Sequence, residues 1–307
     1  MKLRVLLEPR YGATYDEILA MARATEEAGF DAFFRSDHYL GIDSTDPTYA
    51  PTDSWTTLGG LARDTSRVRL GTLMTAATFR HPGPLAVAVA TADAMSGGRV
   101  ELGLGAGWYQ REHESFGIPF PDTKERFDRM EEVLAIVTGL WTTPPGERFS
   151  FAGRHWQLDE CASFPRAAQR PRPRIVIGGV GTRRTPLLAA RFADEFNAAL
   201  SPDDAGVIAN FHKVCEEIGR DPATVELSTV VPVSCGRTQQ EAEARADSLG
   251  DAGRRLLSAG VVGVGGNVLG RVEAARSLGI DTVYFHVYDK DPDHVRILGE
   301  EVLARLG

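Results

Sequence analysis

The feature that most limits what this chain can fold into is a regular alternation of short apolar strands with longer amphipathic stretches, repeating at roughly thirty residues. Leu3–Pro9 reads as a strand, Tyr15–Ala28 as a helix with Ile18, Leu19 and Ala22 at helical spacing, and Phe30–Asp37 as a second strand. A helix opened by Asp53 or Ser54 leads to a strand over Val68–Thr75, and an alanine-rich helix, Leu85–Met95, leads to a fourth strand that runs from Val100 into three glycines. A charged loop, Tyr109–Thr123, and a periodic helix, Lys124–Trp141, follow. Further on, strands are predicted at Arg174–Gly179, Glu195–Leu200, Val225–Cys235 and Thr282–Tyr288. Helices are predicted at Arg183–Ala193, Asp204–Ile218, Gln239–Leu257, Val268–Leu278 and His294–Leu306, with a glycine-rich turn at Gly260–Gly266. Such succession implies parallel strands joined by crossover helices. An open doubly wound sheet would carry a dinucleotide fingerprint, but Gly103-Leu-Gly105-Ala-Gly107 has no glycine at 108 and Gly263-Val-Gly265 has none at 268. The pattern therefore predicts an α/β fold, a (β/α)8 TIM barrel spanning 1–307 as one domain, with an insertion around residues 142–173.

That insertion reads as a small hairpin around Gly153 followed by a proline- and arginine-rich connector. Its arginines, Arg166, Arg170, Arg172 and Arg174, suit a solvated connector or, alternatively, a contact for a phosphate or an acidic tail. Composition narrows the partners. A net charge of −8 works against nonspecific attraction to nucleic acid or an anionic membrane surface, so an anionic ligand must be gripped locally. Cys161, Cys215 and Cys235 are odd in number and in no metal-ligand spacing, which suits reduced thiols in a cytoplasmic protein. No segment is apolar enough to span a membrane, and no export signal is visible at the start.

In a barrel of this kind, ligand chemistry gathers where the strands end. Those ends are Glu8 and Pro9, Asp37 and His38, Leu73, Met74 and Thr75, Gly105 to Trp108, Gly178 to Thr182, Leu200 and Ser201, Ser234 and Cys235, and His286 to Asp289. The first strand offers no histidine pair for a metal, no Gly-x-Ser-x-Gly elbow is present, and His113-Glu114 lacks the second histidine of a zinc helix. Metal and hydrolytic chemistry are therefore not expected. Glycine lets a flat ligand lie directly against main chain, and peptide N–H groups of Gly178, Gly179, Val180, Gly181 and Thr182 ahead of a helix suit a phosphate. His38 could instead serve only its loop, His81 before proline reads as structural, and Trp108 could pack its own loop. His286 reads as a barrel-interior histidine, whereas Tyr288 and Asp289 lie nearer the mouth.

Ser36-Asp37-His38, Leu70-Gly71-Thr72-Leu73-Met74, Thr78-Phe79-Arg80-His81-Pro82 and Ser96-Gly97-Gly98-Arg99-Val100-Glu101-Leu102-Gly103-Leu104-Gly105-Ala106-Gly107-Trp108 together resemble the luciferase-like monooxygenase superfamily. The resemblance is greatest to its branch of oxidoreductases that use the deazaflavin coenzyme F420. It implies that Asp37 contacts the deazaflavin, that His38 is the catalytic proton donor or a substrate contact, and that a non-prolyl cis peptide joins Leu73 and Met74 ahead of Thr75. It further implies that Gly105, Ala106 and Gly107 line the ring, that Gly178 to Thr182 bind phosphate, and that Arg111 serves an anionic tail or the surface. Trp108 stands where the family's sugar-phosphate dehydrogenase has a glutamate acid or base, so that carboxylate mechanism is not expected here; Trp108 at its strand end and Tyr288 near the mouth are assigned to the substrate. The expected function is an oxidoreductase that transfers hydride to or from a small organic substrate. An FMN-dependent monooxygenase and a catalytically silent flavin- or deazaflavin-binding protein are the alternatives. A homodimer is what the resemblance suggests.

Overall fold

A computed structural model describes residues 1–42, 51–198 and 204–306. Asp43, Asp46 and Pro47 of the loop after His38, and the strand end at Leu200 and Ser201, lie outside the described residues. Among those described, eight parallel strands close into a barrel: β1 Lys2–Leu7, β2 Ala32–Arg35, β3 Arg69–Thr72, β4 Val100–Gly105, β5 Arg174–Gly178, β6 Glu195–Asn197, β7 Glu226–Gly236 and β8 Thr282–Val287. Each pairs with its sequence neighbour, and β8 returns to β1 with Leu6 opposite His286.

The pleat sorts side chains into two cores. Leu3, Val5, Leu7, Leu102, Leu104, Ile175, Ile177, Val283 and Phe285 point outward into the layer between strands and helices. Leu6, Phe34, Leu73, Val176 and Tyr284 point inward and plug the barrel at mid-height. Helix starts are fixed by side-chain caps: Thr14 and Glu17 form a capping box for Tyr15–Glu27, Asp53 caps Ser54–Asp64 and Asp122 caps Thr123–Thr142. Arg99, just ahead of the glycine-bearing strand β4, works as a splice. It donates to the carbonyls of Ala62, Thr65, Val68 and Ser96, tying the helix before β3 to the start of β4.

Several expectations need correction. The strand expected over Val68–Thr75 is split: β3 ends at Thr72, the Leu73–Met74 peptide is cis, and Thr75–Ala76 re-pairs with β4. The loop Tyr109–Thr123 contains a helix, Gln110–Ser115. The helix expected over Gln239–Leu257 breaks at Gly250, whose φ of +65° ends one helix and starts the next. Within the supposed turn Gly260–Gly266, Val261–Val264 is a strand lying parallel to β7, and Gly265 already begins the following helix. The insertion holds the expected hairpin, Arg148–Ala152 with Gln157–Ala162. Its arginines, however, are neither loose nor ligand-facing: Arg172 forks onto Asp194, Arg166 reaches the Thr143 carbonyl, Arg170 the Ala167 carbonyl and Arg174 the Glu226 carboxylate. Nearby acceptors absorb the charge that sequence alone left open.

At the amino-terminal end of the barrel the inward positions are charged. Arg4 Nη1 meets Glu101 at 3.2 Å, Glu195 at 3.0 Å and the Tyr284 hydroxyl at 2.7 Å, and Nε meets Asp31 at 2.7 Å. Burial opposes ionisation here, but Tyr284 and the carboxylates hold the Arg4 proton more firmly than usual, and Arg4, Arg69 and Arg174 hold Glu101 below its ordinary range. Burial and the adjacent Glu101 push Glu195 upward.

Candidate active site

At the opposite end, the strand termini surround a cavity of about 700 Å³, within the usual range for small-molecule sites. Asp37, His38, Leu73, Met74, Thr75, Gly105, Ala106, Gly107, Trp108, Gly178, Gly179, Val180 and Gly181 all face it. Three expected site residues do not. Arg111 sits exposed on the helix Gln110–Ser115, and Thr182 is exposed with its carbonyl taken by Asn210. Tyr288 is buried behind His286 against Ala246 and Leu257. His286, one pleat earlier, lines the cavity instead.

The glycines of β4 serve different ends although they look alike in sequence. A Cβ on Gly103 would lie 1.8 Å from the Thr72 carbonyl oxygen, so the fold itself demands glycine there. A Cβ on Gly105 would meet only the Met74 side chain, at an ordinary 3.5 Å, and φ is not positive. Gly105 shares the inward parity of Glu101 and faces the cavity, so its missing side chain leaves room for a ligand rather than for protein. Gly107, at φ +80°, turns the chain toward Trp108.

His38 is held by a residue that sequence reading missed. Its Nδ1 lies 3.0 Å from Glu112, whose carboxylate also accepts from the peptide N–H groups of Tyr39 and Leu40. Glu112 is fully buried, projecting from the helix Gln110–Ser115. The Nδ1–H to carboxylate bond orients the imidazole and leaves Nε2 as the nitrogen able to exchange a proton with a ligand. The Trp108 ring meets His38 edge-on at 5.8 Å, stacks on Tyr109 at 5.2 Å and is 59% exposed, so it forms rim rather than core.

Asp37 has its carboxylate occupied by Arg80 Nη1 at 2.5 Å and by Thr75 Oγ1 at 2.9 Å. Arg80 also binds Asp53 and the Tyr39 hydroxyl; burial notwithstanding, its backbone-capped partner Asp53 is held down to about 2 by the Thr56 N–H and by Arg80. Behind this wall His113 Nδ1 donates to the Tyr109 carbonyl at 2.8 Å and Nε2 accepts from Thr78 at 2.7 Å, and burial lowers its proton affinity. The loop carrying His38 thus rests on a network joining residues 37–40, 75–80 and 109–113.

The sequence profile of the luciferase-like monooxygenases matches residues 2–282. The chain belongs to that family. Within it, the chain is 41% identical over 182 residues to the F420-dependent glucose-6-phosphate dehydrogenase of Nakamurella multipartita, covering 59% of this chain and 51% of that protein. It is 33% identical over 223 residues to the F420-dependent hydroxymycolic acid dehydrogenase of Mycobacterium tuberculosis, covering 70% and 59%. It is 30% identical over 163 residues to the oxygenase component of the flavin-dependent trigonelline monooxygenase of Acinetobacter baylyi, covering 53% and 42%. The alignments thus span about half the length of these relatives. The monooxygenase RslO1 of Streptomyces bottropensis shares the whole fold, with a TM-score of 0.85 at 22% identity and full coverage of both chains.

Proposed function

We propose that this luciferase-like protein is an oxidoreductase that binds coenzyme F420 at the open end of the barrel and acts on a small organic substrate. The observation that carries this reading is Gly105, a glycine the fold does not require, facing the same apolar cavity as Met74 and the His38–Glu112 pair. The residues fit a flat ring with a charged tail: aliphatic and glycine surface on one side, and the peptide groups of Gly178 to Gly181 ahead of the helix Arg184–Phe192 on another. When bound in reduced form, the deazaflavin supplies a hydride.

The chain's own residues do the rest. Leu73, Met74, Thr75, Gly105, Ala106 and Gly107 position the ring, and Asp37, fixed by Arg80 and Thr75, holds that wall in place. Gly178, Gly179, Val180 and Gly181 take the phosphate; Thr182 and Arg111 lie outside the lining and receive no role. His38, oriented by Glu112, exchanges a proton with the substrate through Nε2. Trp108, exposed at the mouth, offers no acid or base, so proton handling on that side falls to His38. The names of two relatives support F420, and the third supports the second reading, a flavin-dependent monooxygenase.

Titrating coenzyme F420 and FMN separately into the full chain distinguishes these readings. F420 is expected to bind at least about tenfold tighter than FMN, a difference of about 1.4 kcal/mol. Reoxidation of the reduced coenzyme by an organic acceptor panel should then be faster with enzyme than without. Tight FMN without F420 would move the assignment to the monooxygenase reading, and F420 binding without turnover on any acceptor would leave a carrier.

A further inference from the structure

A second polar cluster faces the same cavity from the β8–β1 side and takes no part in the scheme above. Glu8, at the end of β1, accepts from Arg10 Nη2 at 2.6 Å and from the Ser36 hydroxyl. Arg10 is only 5% exposed, and its Nε and Nη1 are buried with no partner among the described residues. His286 Nδ1 lies 3.0 Å from the Tyr288 hydroxyl. Its Nε2 is buried and has only a long contact, 3.6 Å, with the Glu8 carboxylate. Burial and the nearby Glu8 charge keep the Tyr288 phenol protonated. Among the described residues the phenol has no other acceptor, so it donates to His286 Nδ1, and Nε2 carries the imidazole N–H.

The cluster therefore leaves two Arg10 nitrogens, Nε and Nη1, without an acceptor and His286 Nε2 with only a long contact to Glu8, a carboxylate already engaged by Arg10 and Ser36. Buried donors are normally paired, and Arg10, His286 and Glu8 all line the cavity. The geometry points to Arg10 and His286 as the substrate's polar anchor, a pair of donors for one neutral carbonyl oxygen, as in a ketone, an aldehyde or an ester. A neutral oxygen fits better than an anion because Glu8 already offsets the Arg10 charge and Glu112, across the cavity wall, adds a second negative charge near it. Donation from a guanidinium also polarises the carbonyl, which favours attack by a nucleophile at its carbon or at a conjugated one. This inference rests on reading the cavity as an oxidoreductase's ligand site.

4-Dimethylaminocinnamaldehyde is a suitable probe, since its absorption moves to longer wavelength when the carbonyl accepts a strong hydrogen bond. On the full-length wild-type protein we expect saturable binding with a red shift, and weaker binding of the corresponding carboxylate, 4-dimethylaminocinnamate. Arg10→Met alone strands Glu8, so the charge-balanced pair Glu8→Gln/Arg10→Met is measured beside it, with His286→Phe as an independent variant. The red shift should be lost in the paired variant and reduced in His286→Phe, with circular dichroism unchanged. An unshifted or absent aldehyde complex in wild type, a shift that survives the paired variant, or tighter binding of the carboxylate would each overturn the anchor. Coenzyme F420 is titrated into the same samples. Wild type that binds the aldehyde with a shift but binds no F420 would defeat the cofactor reading while leaving the anchor standing; F420 bound without an aldehyde shift would do the reverse.

Discussion

Two arginines near opposite ends of one strand show how the barrel divides its work. Arg4, at the amino-terminal end, is gripped by Asp31, Glu101, Glu195 and Tyr284. Arg10, just past the carboxyl-terminal end, is held through one nitrogen by Glu8 and keeps two buried donors unanswered. Both are buried cations, yet only one is finished by the protein. Burying a charge is tolerable when its partners come with it, and an incompletely answered one marks a place where something else is to supply the partner. On the proposed function the closed end serves stability and the open end recognition, and substitutions at the two ends should then fail in different ways.

The largest expected contrast lies within β4. Gly103→Ala drives a methyl into the Thr72 carbonyl and should destabilise by about 3 kcal/mol or more, or prevent folding, as read by urea denaturation. Gly105→Ala should change stability by less than about 1 kcal/mol yet weaken coenzyme binding roughly tenfold. Equal effects at both positions would erase the distinction between fold glycine and ligand glycine.

Next in size is the closed-end network. Glu101→Leu leaves Arg4 short of a buried partner and should cost about 3–5 kcal/mol, with coenzyme affinity unchanged in the protein that remains folded. Loss of affinity without loss of stability would show that the two ends are coupled.

Glu112→Gln keeps the size of the side chain but weakens the acceptor for His38 Nδ1. Turnover should fall by about 10²-fold, near the lower range for a misplaced general acid, while coenzyme affinity stays within about threefold. A changed affinity with unchanged turnover would reduce Glu112 to a loop support.

The smallest effect is on pH. Burial lowers the proton affinity of His113, so below about pH 6.5 the unfolded chain takes up a proton that the folded chain resists. Stability from this group is complete above that pH and declines as pH falls. The urea midpoint of wild type should therefore drop between pH 7 and 5, and drop less in His113→Gln. A midpoint that rises on acidification would contradict the assignment of His113 as a neutral support.

Much of this was legible in the sequence, and the exceptions have physical causes. Alternation and inward parity placed the strands, and the termini at Asp37, Met74, Gly107 and Gly179 do converge on one cavity. The Leu73–Met74 cis peptide came from family resemblance, since nothing in the local composition marks it. Glu112 was invisible because it joins His38 across 74 residues and sits on a short helix inside what reads as a charged loop. His286 and Tyr288 share a parity, so only the strand's end at Val287 decides which one reaches the cavity. Gly103 and Gly105 cannot be separated by sequence at all, because a main-chain oxygen and a ligand exclude a methyl group equally well. The particular acceptors of the insertion's arginines, such as Asp194 and the Thr143 carbonyl, are set by the tertiary fold and cannot be read from the local sequence.

The most direct measurement is paired on one variant: the melting temperature of Gly105→Ala and its affinity for coenzyme F420, each beside wild type. The account requires an unchanged melting temperature together with a roughly tenfold weaker complex. A variant that binds F420 as wild type does, or a wild-type protein that prefers FMN, would contradict it.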